Sequence, residues 1–189
     1  MRIIAGALKG RRLVTPKGDT TRPTADQVRI ALMDTLTPRL DGARVLDLFA
    51  GAGGVGLEAL SRGAGDVTFV ERDARAVAAL RENVAALGAG KAATVRRGDV
   101  LRELQALYQA GERFDIVFLD PPFSQNAHGA VLERLAPRLG AGARIYIEAP
   151  SPLAPGGPWR ELKRSRAGQV SYQLFQWSCD DQGGLSGNV

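Results

Sequence analysis

Asp120-Pro121-Pro122-Phe123 joins a carboxylate, two rigid rings and an aromatic face in one short segment. The residues just before it, Phe114-Asp115-Ile116-Val117-Phe118-Leu119, have the apolar character of a buried strand. A turn at a strand's end needs none of this combination, whereas gripping a planar base by an exocyclic amino group needs all of it. Such an amine is a poor nucleophile because its lone pair is delocalised into the ring. The Asp120 carboxylate and the Pro121 carbonyl can each accept one N–H, which favours a pyramidal nitrogen. The carboxylate then stabilises the charge that develops on nitrogen and takes its proton. Consecutive prolines fix φ and hold the carbonyl in place. Phe123 offers a stacking face to a base swung out of its helix or loop. Asp120, Pro121, Pro122 and Phe123 form the candidate catalytic set.

A second chemical segment is Phe49-Ala50-Gly51-Ala52-Gly53-Gly54-Val55-Gly56, placed after one apolar run and before a helical pattern. Gly51, Gly53 and Gly56 reproduce the dinucleotide fingerprint, and Glu71 lies twenty residues beyond Gly51. Glycines let the backbone approach a ligand closely, and a carboxylate at the next strand's end can accept both ribose hydroxyls. An adenosine-containing cofactor follows, with NAD and S-adenosylmethionine both compatible with the fingerprint. Asp47 favours S-adenosylmethionine: inside the strand it can meet the ammonium of a methionine moiety, and it is badly placed for a pyrophosphate. Asp99, after the strand 93–97, can reach an adenine amino group, cap the helix that follows, or do both. The candidate cofactor-binding set is Asp47, Phe49, Gly51, Gly53, Gly56, Glu71, Arg72, Asp99 and Val100.

These residues need a scaffold, and the pattern from residue 44 onward supplies one. Strands are expected at 45–49, 67–71, 93–97, 114–119 and 143–148. Helices are expected between them at 55–62, 74–87, 101–108 and 128–139. This alternation predicts an α/β fold, a mostly parallel sheet wound on both faces. Runs at 159–164 and 170–177 follow each other without a helix and are expected to pair as an antiparallel edge hairpin. Arg2-Ile3-Ile4 and Arg12-Leu13-Val14 suggest a small hairpin, followed by a loop over 15–24 and a helix from Thr24 to about Leu36. Residues 1–40 thus form an N-terminal extension, 41–179 the main domain and 180–189 a polar, Gly-rich tail expected to be disordered.

The net charge of +5 is concentrated at one end. Residues 1–29 hold seven basic groups against two acidic ones, and the remainder balances at 18 against 18. A neutral body with a basic arm points to a polyanionic partner, most simply nucleic acid, with a solvated tail as the plainer reading. Arg2, Lys9, Arg11, Arg12 and Arg22 are the candidate RNA-binding residues, with a weaker cluster at Arg160, Lys163, Arg164 and Arg166. No apolar run is long enough to span a bilayer. Cys179 is the single cysteine, and no Cys/His cluster suggests a metal site. The cytoplasm and a monomer are the expectations.

Taken together, the motifs resemble those of the RsmD-type methyltransferases, which act on a guanine N2 of 16S ribosomal RNA. They are Arg2-Ile3-Ile4-Ala5-Gly6 with Lys9-Gly10-Arg11-Arg12-Leu13; Arg22-Pro23-Thr24 with Asp26 and Val28-Arg29; and Asp47-Leu48-Phe49-Ala50-Gly51-Ala52-Gly53. Gly56-Leu57-Glu58-Ala59-Leu60-Ser61-Arg62-Gly63-Ala64, Asp120-Pro121-Pro122-Phe123 and Gly168-Gln169-Val170-Ser171-Tyr172 complete them. One departure is Ile30, where such sequences often carry an acidic residue. The resemblance implies a class I methyltransferase sheet and S-adenosylmethionine held by Asp47, Gly51, Gly53, Glu71 and Asp99. It further implies a guanine held by residues 120–123 and, as partner, 16S rRNA within the small ribosomal subunit or an assembly intermediate. The residues by themselves leave adenine N6 or an amide as other targets, and a noncatalytic RNA-binding assembly factor as another class.

Overall fold

The computed structural model describes residues 1–16, 23–122 and 127–178. After α1 (Pro23–Leu36) the chain alternates: β1 (Arg44–Leu48), α2 (Gly54–Ser61), β2 (Asp66–Glu71), α3 (Ala74–Ala86), β3 (Ala93–Arg97), α4 (Val100–Gln109), β4 (Phe114–Leu119), α5 (His128–Leu135) and β5 (Leu139–Ala149). It ends in a hairpin, β6 (Trp159–Ala167) and β7 (Val170–Trp177). The seven strands are ordered β3-β2-β1-β4-β5-β7-β6. The first five run parallel; β7 inserts antiparallel between β5 and β6. Strand order therefore reverses between β1 and β4, where open parallel sheets bind their ligands.

The expected mostly parallel sheet with an edge hairpin is what forms, with differences at element ends. The helix expected over 128–139 stops at Leu135, because a 3-10 turn containing Pro137 takes over and Leu139 is already extended. β5 is correspondingly longer than the run 143–148. At the N-terminus the expected hairpin is reduced to one antiparallel bridge, Arg2 to Arg12, with a tight loop between them. Phe123, Arg22 and the tail 180–189 lie outside the described residues, as does most of the loop expected over 15–24.

Period-two alternation divides the core. Val45, Ile116 and Phe118 pack with Leu32, Met33, Leu36, Leu57 and Leu80 from α1, α2 and α3. Leu46, Val117, Leu119, Ile145 and Ile147 face the other way, onto Leu104, Leu107, Val131 and Leu135 of α4 and α5. Asp47 is two residues on from Val45, so its side chain points to the α2 side. Polar there among apolar neighbours, the strand presents its carboxylate to the start of α2.

The basic arm is built into this body. Glu58, 1% exposed, accepts the N–H groups of Ile4 (2.7 Å) and Ala5 (3.0 Å) and pairs with Arg62. The Ser61 hydroxyl accepts from Leu8 N–H and donates to the Ala5 carbonyl. Gly6 passes so close that a Cβ would lie 1.8 Å from the Ser61 carbonyl oxygen. Asn83 of α3 accepts from Val14 N–H and donates to both the Val14 and the Ala52 carbonyls. One buried amide thus joins the arm to the glycine loop.

Candidate active site

The carboxyl edge of the sheet carries a row of acids. Leu48 is registered with Val70 and Leu119, and Leu119 with Ile147. One residue further on, Glu71 ends β2, Phe49 and Asp120 directly follow β1 and β4, and Glu148 is the last residue but one of β5. Asp47 lies two residues below Phe49. The groove above this row consists of two adjoining cavities. One, about 470 Å³, is lined by Phe49, Glu71, Arg72, Asp73, Asp120, Pro121 and Pro122. The other, about 280 Å³, has Asp47, Phe49, Gly51, Phe118, Asp120 and Glu148 among its walls, with Met1 and Tyr146. Phe49 and Asp120 border both cavities, and the combined space is of small-molecule cofactor size.

Local conformation explains the glycine loop. Phe49 turns out of β1 with φ of 60°, a left-handed value uncommon for a bulky residue, and Gly51 and Gly53 follow at 55° and 84°. Gly51 N–H donates to Glu71 Oε2 (2.9 Å), whose other oxygen accepts from the N–H groups of Arg72 and Asp73. A Cβ on Gly51 would meet nothing, because that position faces the groove. Gly56 is needed for packing: a Cβ there would lie 2.4 Å from Phe69 and 2.9 Å from the Asp47 carboxylate. Gly53 makes room in the same way for Leu80.

The electrostatics favour a cation. Burial pushes the Asp47 carboxyl up to about 7; the Gly56 N–H opposes that shift and the charges of Asp120 and Glu71 add to it. Asp120 is exposed at the mouth of the groove, and desolvation by the protein packed around it pushes its carboxyl up to about 6. Burial, and then the adjacent Glu148 charge, push the Tyr146 hydroxyl well above its ordinary range. Among the described residues, Arg72 is the one basic side chain lining either cavity. A ligand with an ammonium and a sulfonium would relieve this crowding of acids, and a pyrophosphate would be repelled by it. The open face at Gly51, the Asp47 carboxylate and the pinned Glu71 therefore fit S-adenosylmethionine.

The fold thus brings Asp47, Phe49, Gly51, Glu71, Arg72, Asp120, Pro121 and Pro122 together, with Gly53 and Gly56 shaping the loop from behind. Asp99 and Val100 do not line either cavity. Asp99 caps α4, accepting from Leu101 and Arg102 N–H, and Val100 is buried in the core. Arg2, Lys9, Arg11 and Arg12 are exposed, with Arg11 donating to the Ala86 carbonyl. Tyr146, Glu148 and Met1 were not anticipated. Glu148 had a sequence signal, since it ends the strand expected over 143–148 as Glu71 ends its own. A separate apolar cavity of about 170 Å³ beside α1 is lined by Leu32, Lys163, Tyr172 and Leu174 among others, with no carboxylate and no glycine-loop atom among the described residues that line it. Among the described residues no group of His, Cys, Asp or Glu is arranged to hold a metal ion. None of the described helices is long and apolar enough to cross a membrane.

Comparison with known proteins gives a consistent picture. The family model described as conserved hypothetical protein 95 matches residues 1–176. Ribosomal RNA small subunit methyltransferase D of Escherichia coli K12 is 38% identical over 93% of this chain and 89% of its own length. Its counterpart in Haemophilus influenzae is 37% identical over 93% of each chain. The solved structure of the Escherichia coli protein yhhF superposes with a TM-score of 0.85 at 37% identity, covering 94% of this chain and 98% of that one.

Proposed function

The chain belongs to the conserved hypothetical protein 95 family, and from that premise we propose its chemistry. It is an S-adenosylmethionine-dependent ribosomal RNA methyltransferase with a class I fold. The atom methylated is the exocyclic N2 of one guanine in 16S rRNA, presented by the small subunit or an assembly intermediate. The observation that carries this reading is the placement of Asp120 beside the acid-lined groove, at the end of the strand next to β1.

Bound S-adenosylmethionine supplies an electrophilic methyl group on a sulfonium. Asp47 would receive its ammonium and Glu71 its ribose hydroxyls. Asp120 and the Pro121 carbonyl accept the two N–H bonds of the target amine, aligning its lone pair with the methyl. The Asp120 carboxylate then offsets the positive charge on nitrogen and takes the proton. Phe123 stacks on the extruded base. The exposed cations of the arm contact phosphates, and its docking on α2 and α3 keeps them in a fixed relation to the groove. The protein acts as a monomer in the cytoplasm.

The test is transfer of labelled methyl from S-adenosylmethionine to small subunits from a strain lacking this enzyme, followed by nucleoside analysis. N2-methylguanosine is the expected product; label in N6-methyladenosine, or none, would overturn the reading.

A further inference from the structure

We infer that Glu148 selects guanine by accepting its N1–H. This rests on the guanine-N2 reading above and adds the group that reads the base. The Watson–Crick edge of guanine presents two adjacent donor sites, N1–H and the N2 amine. Adenine presents an acceptor at N1 beside its N6 amine. A carboxylate facing N1 therefore attracts guanine and repels adenine, while Asp120 alone accepts an amine from either base.

The fold provides that second acceptor. Asp120 and Glu148 follow the registered pair Leu119–Ile147 on neighbouring parallel strands, which lie roughly 4.8 Å apart. Both line the same cavity, with Phe118 and Met1. Tyr146 and His128 hold Glu148 from opposite sides of the sheet. Tyr146, two residues earlier and on the same face, donates its hydroxyl to Glu148 Oε1 at 2.8 Å. The Tyr146 ring is fixed edge-on to Phe118 and stacked with Tyr172, both at 6.3 Å between centroids. From the other side of the sheet, His128 Nε2 lies 2.8 Å from the Glu148 carbonyl and anchors the backbone. A carboxylate held so firmly at a groove's rim gives specificity, because it cannot swing away from the wrong base.

The test uses reconstituted small subunits carrying either guanosine or 2-aminopurine riboside at the position the wild-type enzyme methylates. 2-Aminopurine keeps the N2 amine but has an acceptor at N1. The wild type should prefer guanosine by about 100-fold or more in kcat/KM. Glu148→Gln, whose amide can donate to that N1, should shrink the preference at least about tenfold, with S-adenosylmethionine affinity measured alongside. Tyr146→Phe, which releases the carboxylate, should shift the preference the same way by a smaller factor. An unchanged preference in both variants overturns the inference, as does a loss of cofactor affinity with the preference preserved. Wild-type failure to methylate guanosine-bearing subunits would instead overturn the parent reading.

Discussion

The Asp47 carboxylate accepts a hydrogen bond from the backbone N–H of Gly56 at 2.9 Å, tying β1 to the first turn of α2 across the glycine loop. The bond satisfies one of the amide donors that every helix start leaves unpaired, and it fixes the carboxylate at the groove. Any side chain at position 56 would push between its partners. Gly56→Ala should therefore cost about 1–3 kcal/mol of stability by overpacking against Phe69. It should also weaken S-adenosylmethionine binding by about tenfold or more, for a displaced charge-assisted contact. Chemical unfolding and titration calorimetry measure the two effects.

The raised Asp47 carboxyl makes stability depend on pH. Its folded value of about 7 exceeds the unfolded 3.8, so its contribution is complete below about pH 4 and is lost as pH rises through about 7. The cofactor-free wild type should lose stability relative to Asp47→Asn over that window. Saturating S-adenosylmethionine should abolish the trend, since its ammonium favours the ionised form. Asp120 titrates in the same direction and its charge adds to the Asp47 shift, so urea unfolding of the pair, compared across pH, reads Asp47 together with its coupling to Asp120.

For Asp120 the pH dependence lies in the rate. Single-turnover methylation should fall as pH drops through about 6, where the carboxyl gains its proton and can no longer accept the N–H or take a proton. Asp120→Ala should abolish turnover with cofactor affinity nearly intact. A parallel loss of cofactor binding would make Asp120 structural instead.

Glu58 tests how the arm is attached. Removing this buried carboxylate leaves two arm amides without their acceptor, while Arg62, whose side chain is 6% exposed, keeps its pairing with Asp34. Glu58→Ala should cost about 1–3 kcal/mol, and limited proteolysis should then cut within residues 1–16 first.

The arm's cations are tested by salt. Replacing Arg2 and Arg12 with Gln should weaken subunit binding and reduce the slope of log affinity against log salt by about 1 to 2. An unchanged slope would mean that these bridged, exposed residues do not touch phosphate.

The order of strands and helices was readable from residue 44 onward because period-two and period-3.6 patterns are local properties of the chain. The edge hairpin was readable for the same reason, as two strands without an intervening helix. The chemistry of Asp120-Pro121-Pro122 and of the glycine loop was legible because it depends on residue types at fixed short spacing. Two things were not legible. The sequence marked Arg2, Lys9, Arg11 and Arg12 as a basic arm but not as a docked one; that depends on Glu58, Ser61 and Asn83 meeting backbone groups 53 to 69 residues away. Nor could it pair Glu148 with Asp120. Strands β4 and β5 are separated by a helix, and only register across the sheet puts the residues after Leu119 and Ile147 side by side. Local patterns chose the elements and most of the candidate groups that line the groove. Long-range packing decided which carboxylates share one groove, because proximity between distant residues exists only once the sheet has closed.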